Sequence, residues 1–164
     1  MADSVVTCAQ LPAHALPALL QRWGMTLEWV ANALAIPGSY WGDEEAGLIA
    51  NRLYVRADTP VHSALHETAH WICMDDARRA ALHTDADGDD REENAVCYLQ
   101  VLLADTLDGY GRSQILEDMD LWGYTFIAGS ARAWFEHDSR DEQHWLKQHA
   151  LIDAADQLTG QLRH

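Results

Sequence analysis

The spacing of apolar residues changes along the chain, and each spacing predicts a type of secondary structure. Residues 14–23 have a helical spacing that proline opens and Gly24 closes, which predicts a short helix. Residues 26–36 are apolar with β-branched and aromatic members, so part of this segment is predicted to be a strand. Residues 47–56 predict a hairpin that turns near Asn51, because their second half alternates as a strand does.

The rest of the chain is predicted to be mainly helical. Thr59 and Pro60 mark the start of a helix, with threonine as the cap and proline in the first helical position. An apolar stripe continues this helix to about Met74, and a polar loop separates it from a second helix over residues 89–105. Further helices are predicted, in order, over residues 113–122, 125–137, 140–149 and 151–158.

This order of elements predicts an α+β fold. A small, mostly antiparallel sheet would pack on the helix that follows Pro60, and the C-terminal part would be helical. A chain of 164 residues with 48% hydrophobic content is long and apolar enough to bury one core. We therefore expect a single domain over residues 1–164, with an N-terminal helix and strands in residues 1–58 and the helical part in residues 59–164.

Charge and cysteine content narrow the range of partners and compartments. The formal net charge of −15 would repel a nucleic-acid backbone or an anionic membrane, so we expect neither as a partner. No apolar stretch approaches the roughly 20 residues that span a bilayer. Three widely spaced cysteines are typical of a reducing cytoplasm rather than of a disulfide framework, and the predicted location is cytoplasmic.

The segment with the most specific chemistry is the His-Glu-x-x-His run at residues 66–70. On a helix, His66 and His70 lie one turn apart on the same face, so both imidazoles can reach one metal ion. Glu67 lies beside the first histidine and can act on a metal-bound water without being a ligand itself. The motif therefore predicts one Zn²⁺ per chain, with His66 and His70 as ligands and Glu67 as the catalytic base.

A zinc site needs a third protein ligand, and the helix predicted over residues 89–105 offers two carboxylates. Glu92 falls at the centre of the apolar stripe of that helix, where a carboxylate must be paired, ligated or neutral. Glu93 falls about 100° away around the helix. We therefore predict Glu92 as the third ligand, with Glu93 as the second choice. In the competing interpretation Glu92 belongs to a capping box with Asp89.

These residues resemble the gluzincin type of zinc metallopeptidase. In that family a His-Glu-x-x-His helix supplies two ligands and the base, and a Glu on a following helix, often within Glu-x-x-Ala, supplies the third. Residues 92–95, Glu-Glu-Asn-Ala, match that pattern. Residues 47–72 are also similar to the hairpin and active-site helix of small cytoplasmic metallopeptidases of the phage-repressor-cleaving type. Val96 departs from the family, because many gluzincins place there an Asp that orients a ligand histidine.

The resemblance implies a minimal zincin-like domain that hydrolyses peptide bonds. Zinc would lower the pKa of a bound water from ~15.7 to around 7, and Glu67 would accept the proton. As in zincins, the strand Leu53, Tyr54, Val55 and Arg56 would bind an extended peptide by backbone pairing. We therefore expect an intracellular metallopeptidase of narrow specificity that acts on a peptide or protein substrate.

Two other interpretations of the motif stay open. In the first, the chain is a non-catalytic protein of zincin fold that holds a structural zinc or binds a partner. In the second, it is a metal-free protein in which both histidines are ordinary polar residues. Outside the motif, His62 is expected to be an exposed residue of the first turn, and Cys73 and Cys97 to be small core residues. Tyr110 and Tyr124 are candidate hydrogen-bond donors to an oxyanion.

Overall fold

The computed structural model describes residues 4–39, 43–82 and 88–164. In these ranges the chain forms a mixed α/β structure with seven α-helices, three strands and a 3₁₀ turn at Cys8–Gln10. In chain order the elements are α1 (Ala15–Gln21), β1 (Thr26–Val30), β2 (Gly47–Ile49), β3 (Arg52–Arg56), α2 (Val61–Cys73), α3 (Asp76–Ala80), α4 (Asp90–Ala104), α5 (Arg112–Trp122), α6 (Ala131–His137) and α7 (Arg140–Gln148).

The three strands form one mixed sheet in the order β1-β3-β2. The predicted hairpin is confirmed, because β2 pairs antiparallel with β3 and Leu48 lies opposite Leu53. The expectation of a mostly antiparallel sheet is wrong, because β1 pairs in parallel with the whole of β3. β2 runs opposite to β1, and the tight turn at Ala50 and Asn51 reverses the chain again, so that β3 returns in the direction of β1.

The hydrophobic core lies between the sheet and two long helices. Leu53 and Val55 of β3 are fully buried, as is the apolar stripe of α2. α2 contacts β2, β3, α4 and α5. On α4 the stripe predicted from the sequence is buried as well, with Val96, Leu99 and Leu103 fully inaccessible. This packing fixes the faces of α2 and α4 against each other, and it therefore fixes the position of the His-Glu-x-x-His motif.

The start of α2 differs from the prediction in its cap. The helix begins at Val61 with Pro60 in the capping position, and no side chain makes a capping hydrogen bond there. Thr59 is fully buried, and its hydroxyl accepts a hydrogen bond of 2.8 Å from the backbone N–H of Arg56. The threonine therefore holds the turn between β3 and α2 instead of capping the helix.

Two other helix predictions are also corrected. The helix expected from residue 125 begins only at Ala131, where the Ser130 hydroxyl accepts a hydrogen bond from the backbone N–H of Ala133. The tail over residues 151–158 is not helical, because Ile152 and Leu158 pair in an isolated antiparallel bridge. The short helix α3, which Asp75 caps, was not predicted at all. Among the described residues, none of the helices is both long and apolar enough to span a bilayer.

Candidate metal centre

The His-Glu-x-x-His motif lies on α2, and its two imidazoles face one carboxylate of α4. The Nε2 atom of His66 is 2.9 Å from Glu93 Oε1, and the Nε2 atom of His70 is 3.1 Å from Glu93 Oε2. One potential ligand atom from each of the three residues lies within 4.8 Å of the other two. The structure therefore brings His66, His70 and Glu93 to a common point at the α2–α4 interface.

The chemistry and the spacing of these three groups fit a zinc ion. Imidazole nitrogen and carboxylate oxygen are ordinary zinc ligands. Ligand atoms about 2.0–2.1 Å from a tetrahedral ion are roughly 3.3 Å apart. The two nitrogen–oxygen distances of 2.9 and 3.1 Å are close to that value. The carboxylate of Glu93 is half exposed, so an ion can enter from solvent.

Glu92, the predicted third ligand, points away from both imidazoles. Its carboxylate is buried and accepts hydrogen bonds from the guanidinium groups of Arg78, at 2.7 and 2.5 Å, and Arg163, at 2.8 Å. The burial predicted for Glu92 is confirmed, but the partners that neutralise it are two arginines. Glu92 is therefore not placed to be the third ligand. Glu93, which was the second choice, lies beside the two histidines instead.

The capping interpretation of Glu92 is confirmed in part. The side chain of Asp89 caps α4 by accepting a hydrogen bond of 2.9 Å from the backbone N–H of Glu92. The Glu92 carboxylate does not close a capping box, because Arg78 and Arg163 occupy it. No sequence pattern indicated these partners, since Arg78 lies on the unpredicted helix α3 and Arg163 lies 71 residues from Glu92.

In the absence of metal, the pKa values of Glu93 and His66 are shifted in opposite directions. Burial alone would raise the pKa of Glu93, but hydrogen bonds from His66 and His70 hold it far below its usual range. Burial alone would lower the pKa of His66, but Tyr124, the Cys97 thiol and Glu93 raise it well above its usual value. An imidazole must lose its proton to bind a metal, so protons and metal compete for this group.

Glu67 lies beside the cluster without belonging to it. Burial raises the pKa of its carboxyl, the imidazoles of His70 and His66 oppose this rise, and the nearby carboxylates of Glu93 and Glu45 add to it. A carboxylate whose pKa lies above its usual value is a stronger base toward a proton donor. The structure thus places the predicted base within electrostatic reach of both histidines.

The predicted peptide-binding strand, Leu53, Tyr54, Val55 and Arg56, lies in the middle of the sheet as β3. β1 pairs with β3 along its whole length, and β2 pairs with its first half on the other side. Leu53 and Val55 also point into the core, where they are fully buried. Both sides of Leu53 and Tyr54 are therefore paired within the sheet, and only Val55 and Arg56 have a side that β2 does not cover. An extended peptide could not pair along the whole strand, and the substrate role of these four residues stays a prediction.

Aromatic side chains pack beside His62 and His66 on α2. His62, expected to be exposed, is 1% exposed and packs against Trp122 and Tyr124 with ring centroids 5.1 and 5.5 Å apart. Burial and the neighbouring His66 lower the pKa of His62 to about 3, so it is neutral near pH 7. The ring of Tyr124 lies 6.5 Å from that of His66, whereas Tyr110 donates a hydrogen bond of 2.7 Å to Asp118.

Two residues of α4 and one of α2 complete the surroundings of the site. Cys73 is fully buried, as predicted, whereas Cys97 is only partly buried and its thiol interacts with His66. Gln100, fully buried, lies 2.8 Å from His66 through its side-chain oxygen. Gln100 was not among the residues predicted for the site. Its position seven residues after Glu93 on that helix was the available signal.

Comparison with protein-family models, with curated proteins and with solved structures finds no match. The residues of this site therefore carry the evidence for a function.

Proposed function

We propose that this chain is a zinc-dependent hydrolase, and that it is a metallopeptidase of the gluzincin type with narrow specificity. The zinc ligands are His66, His70 and Glu93, and Glu67 is the general base. The observation that carries the proposal is the approach of both imidazole Nε2 atoms to one carboxylate, within 3.1 Å, beside the glutamate of the same motif.

The proposed chemistry divides between the ion and the protein. A bound Zn²⁺ would bring the pKa of a coordinated water near neutrality and polarise a substrate carbonyl. Glu67 takes the proton of the attacking water and gives it to the leaving nitrogen.

The composition of the cluster favours a catalytic zinc over a structural one. Structural zinc sites have four protein ligands, whereas catalytic sites keep one position for water. In the part of the chain that the structure describes, the group of mutually close ligands contains His66, His70 and Glu93. Cys97 interacts with His66 but lies outside that group. Three protein ligands leave the fourth position of a tetrahedral ion for water.

The fold and the cysteines are consistent with the rest of the proposal. A short sheet packed on the helix that carries the motif is the arrangement expected for a minimal zincin-like domain. Cys8, Cys73 and Cys97 are all free thiols, which is typical of proteins from a reducing compartment such as the cytoplasm.

Cleavage of a peptide library by the zinc-loaded protein tests this proposal. We expect the wild type to cleave a restricted set of sequences, Glu67→Gln to retain zinc but lose activity by about 10²-fold or more, and Glu117→Gln to behave as wild type. Glu117 is an exposed carboxylate on α5 and controls for the loss of charge. Wild-type cleavage by Glu67→Gln would exclude it as the base, and a zinc-loaded wild type without activity on any sequence would overturn the hydrolase assignment.

A further inference from the structure

The side chain of Gln100 joins α4 to α2 through both ends of its amide. Its Nε2 atom donates a hydrogen bond of 3.1 Å to the backbone carbonyl of His62, and its Oε1 atom lies 2.8 Å from Nδ1 of His66. The residue is fully buried. The Tyr124 hydroxyl lies near the same nitrogen, at 3.5 Å. The amide therefore spans one turn of α2, from His62 to the first histidine of the motif.

These contacts determine which way the amide points. A backbone carbonyl can only accept a hydrogen bond, so the group of Gln100 that faces His62 must be the NH₂. The oxygen must then face His66. Exchanging the two ends would leave two acceptors facing each other in a buried place, which costs free energy.

The orientation of the amide also determines the position of one proton on His66. The oxygen of an amide only accepts, so Nδ1 of His66 must carry a hydrogen. When a metal ion takes the place of the hydrogen that Nε2 donates to Glu93, the ring is neutral, keeps its hydrogen on Nδ1 and has its lone pair on Nε2. Nε2 is the atom that faces Glu93 at 2.9 Å.

From this geometry we infer that Gln100 is a positioning residue for the metal centre: it holds His66 in the Nδ1–H tautomer, so that Nε2 is presented to a divalent cation. The inference rests on the proposed metal site but not on hydrolysis.

The second histidine offers an internal comparison. Nδ1 of His70 is buried and has no hydrogen-bond partner among the described residues. The two imidazoles therefore differ, because Gln100 contacts Nδ1 of His66 and not Nδ1 of His70. Loss of the Gln100 amide should change the environment of His66 and leave that of His70 nearly as it was.

The amide is also electrically neutral, unlike a carboxylate in the same position. The proposed ligands then contribute one negative charge, from Glu93, against the two positive charges of the ion. Gln100→Glu would keep an acceptor for His66 Nδ1, but its second oxygen would face the carbonyl of His62. Gln100→Met has a similar shape and removes both hydrogen bonds.

The test combines zinc affinity with nitrogen-15 NMR of the histidine rings in the zinc-loaded protein. Removing a group that orients a ligand histidine lowers metal affinity about 10–100-fold. We expect this loss for Gln100→Met, together with a shifted and faster-exchanging Nδ1–H resonance of His66 and an unchanged His70. Gln100→Glu should restore the His66 resonance and part of the affinity. Gln143→Met, on α7 and away from the centre, is the matched control.

The outcomes separate this inference from the proposed function. Unchanged zinc affinity and an unchanged His66 resonance in Gln100→Met would overturn the positioning role, as would equal changes at His66 and His70. If Gln100→Met does not fold, Gln100→Glu decides the question: loss of its His66 Nδ1–H signal would overturn the positioning role. A wild type that binds zinc with the expected His66 signal but hydrolyses no peptide would leave the inference standing and remove the hydrolase assignment.

Discussion

Glu92 and Glu93 are adjacent in the chain, yet their carboxylates have different partners. Glu93 lies against the imidazoles of His66 and His70, whereas Glu92 is held by the guanidinium groups of Arg78 and Arg163. One residue of a helix turns the side chain by about 100°, which is enough to separate a candidate metal ligand from a structural ion pair. Substitution of Glu92 should therefore affect mainly stability, and substitution of Glu93 mainly metal binding.

Glu92→Gln should destabilise the fold. Removing one member of a buried ion pair leaves the other charge without compensation, and such changes cost about 3 kcal/mol or more. Here two guanidinium groups, each mostly buried, would lose their shared carboxylate. Urea unfolding of the metal-free protein measures the effect. Glu93→Gln, at a half-exposed carboxylate, should cost distinctly less, and equal losses for the two variants would contradict this assignment.

Zinc should raise the thermal stability of the protein. A ligand that binds only the folded state stabilises it by about 2.7 kcal/mol when its concentration is 100 times Kd. We expect an increase in Tm on adding zinc to the wild type and to His144→Ala, whose histidine is exposed on α7. His70→Ala should lose the increase. Retention of the full increase in His70→Ala would remove this histidine from the ligand set.

His62 should make the metal-free protein less stable in mild acid. Its pKa in the folded protein is about 3, below the ordinary value near 6.5, because burial disfavours the charged form. Between these two values only the unfolded chain takes up the proton, so stability falls as the pH drops below about 6.5 and is unaffected above it. The slope is about 1.4 kcal/mol per pH unit.

Urea unfolding in the presence of a chelator checks this slope. From pH 7 to pH 5 the wild type should lose about 2 kcal/mol more than His62→Gln, which has no titrating ring. His144→Gln, which removes an exposed histidine, should follow the wild type. Parallel pH profiles for wild type and His62→Gln would show that the buried imidazole is not the cause.

Local patterns in the sequence predicted the elements that carry the site. The hairpin, α2 and α4 all form close to the predicted bounds, because each has an apolar face with a clear period. The convergence of His66 and His70 on one face follows from the same periodicity. The direct consequence of a helical period, which side chains share a face, was therefore predictable.

Contacts between distant segments were not predictable in the same way. The helical wheel showed that Glu92 is buried, but it could not show that Arg163 returns from the end of the chain to pair with it. The parallel pairing of β1 with β3 joins two segments that β2 separates in the chain, and no local period indicates it. The contact of Gln100 with His66 requires α2 and α4 to pack at a particular rotation, which side-chain packing sets.

Titration of the metal-free protein with zinc at neutral pH tests the central claim most directly, with Glu92→Gln and Glu93→Gln compared side by side. Wild type and Glu92→Gln, each verified as folded by circular dichroism, should bind one zinc per chain. Glu93→Gln should bind more weakly by more than about 100-fold, because losing a direct ligand exceeds the effect of losing an orienting partner. Wild-type affinity in Glu93→Gln, or no stoichiometric zinc in the wild type, would contradict the account.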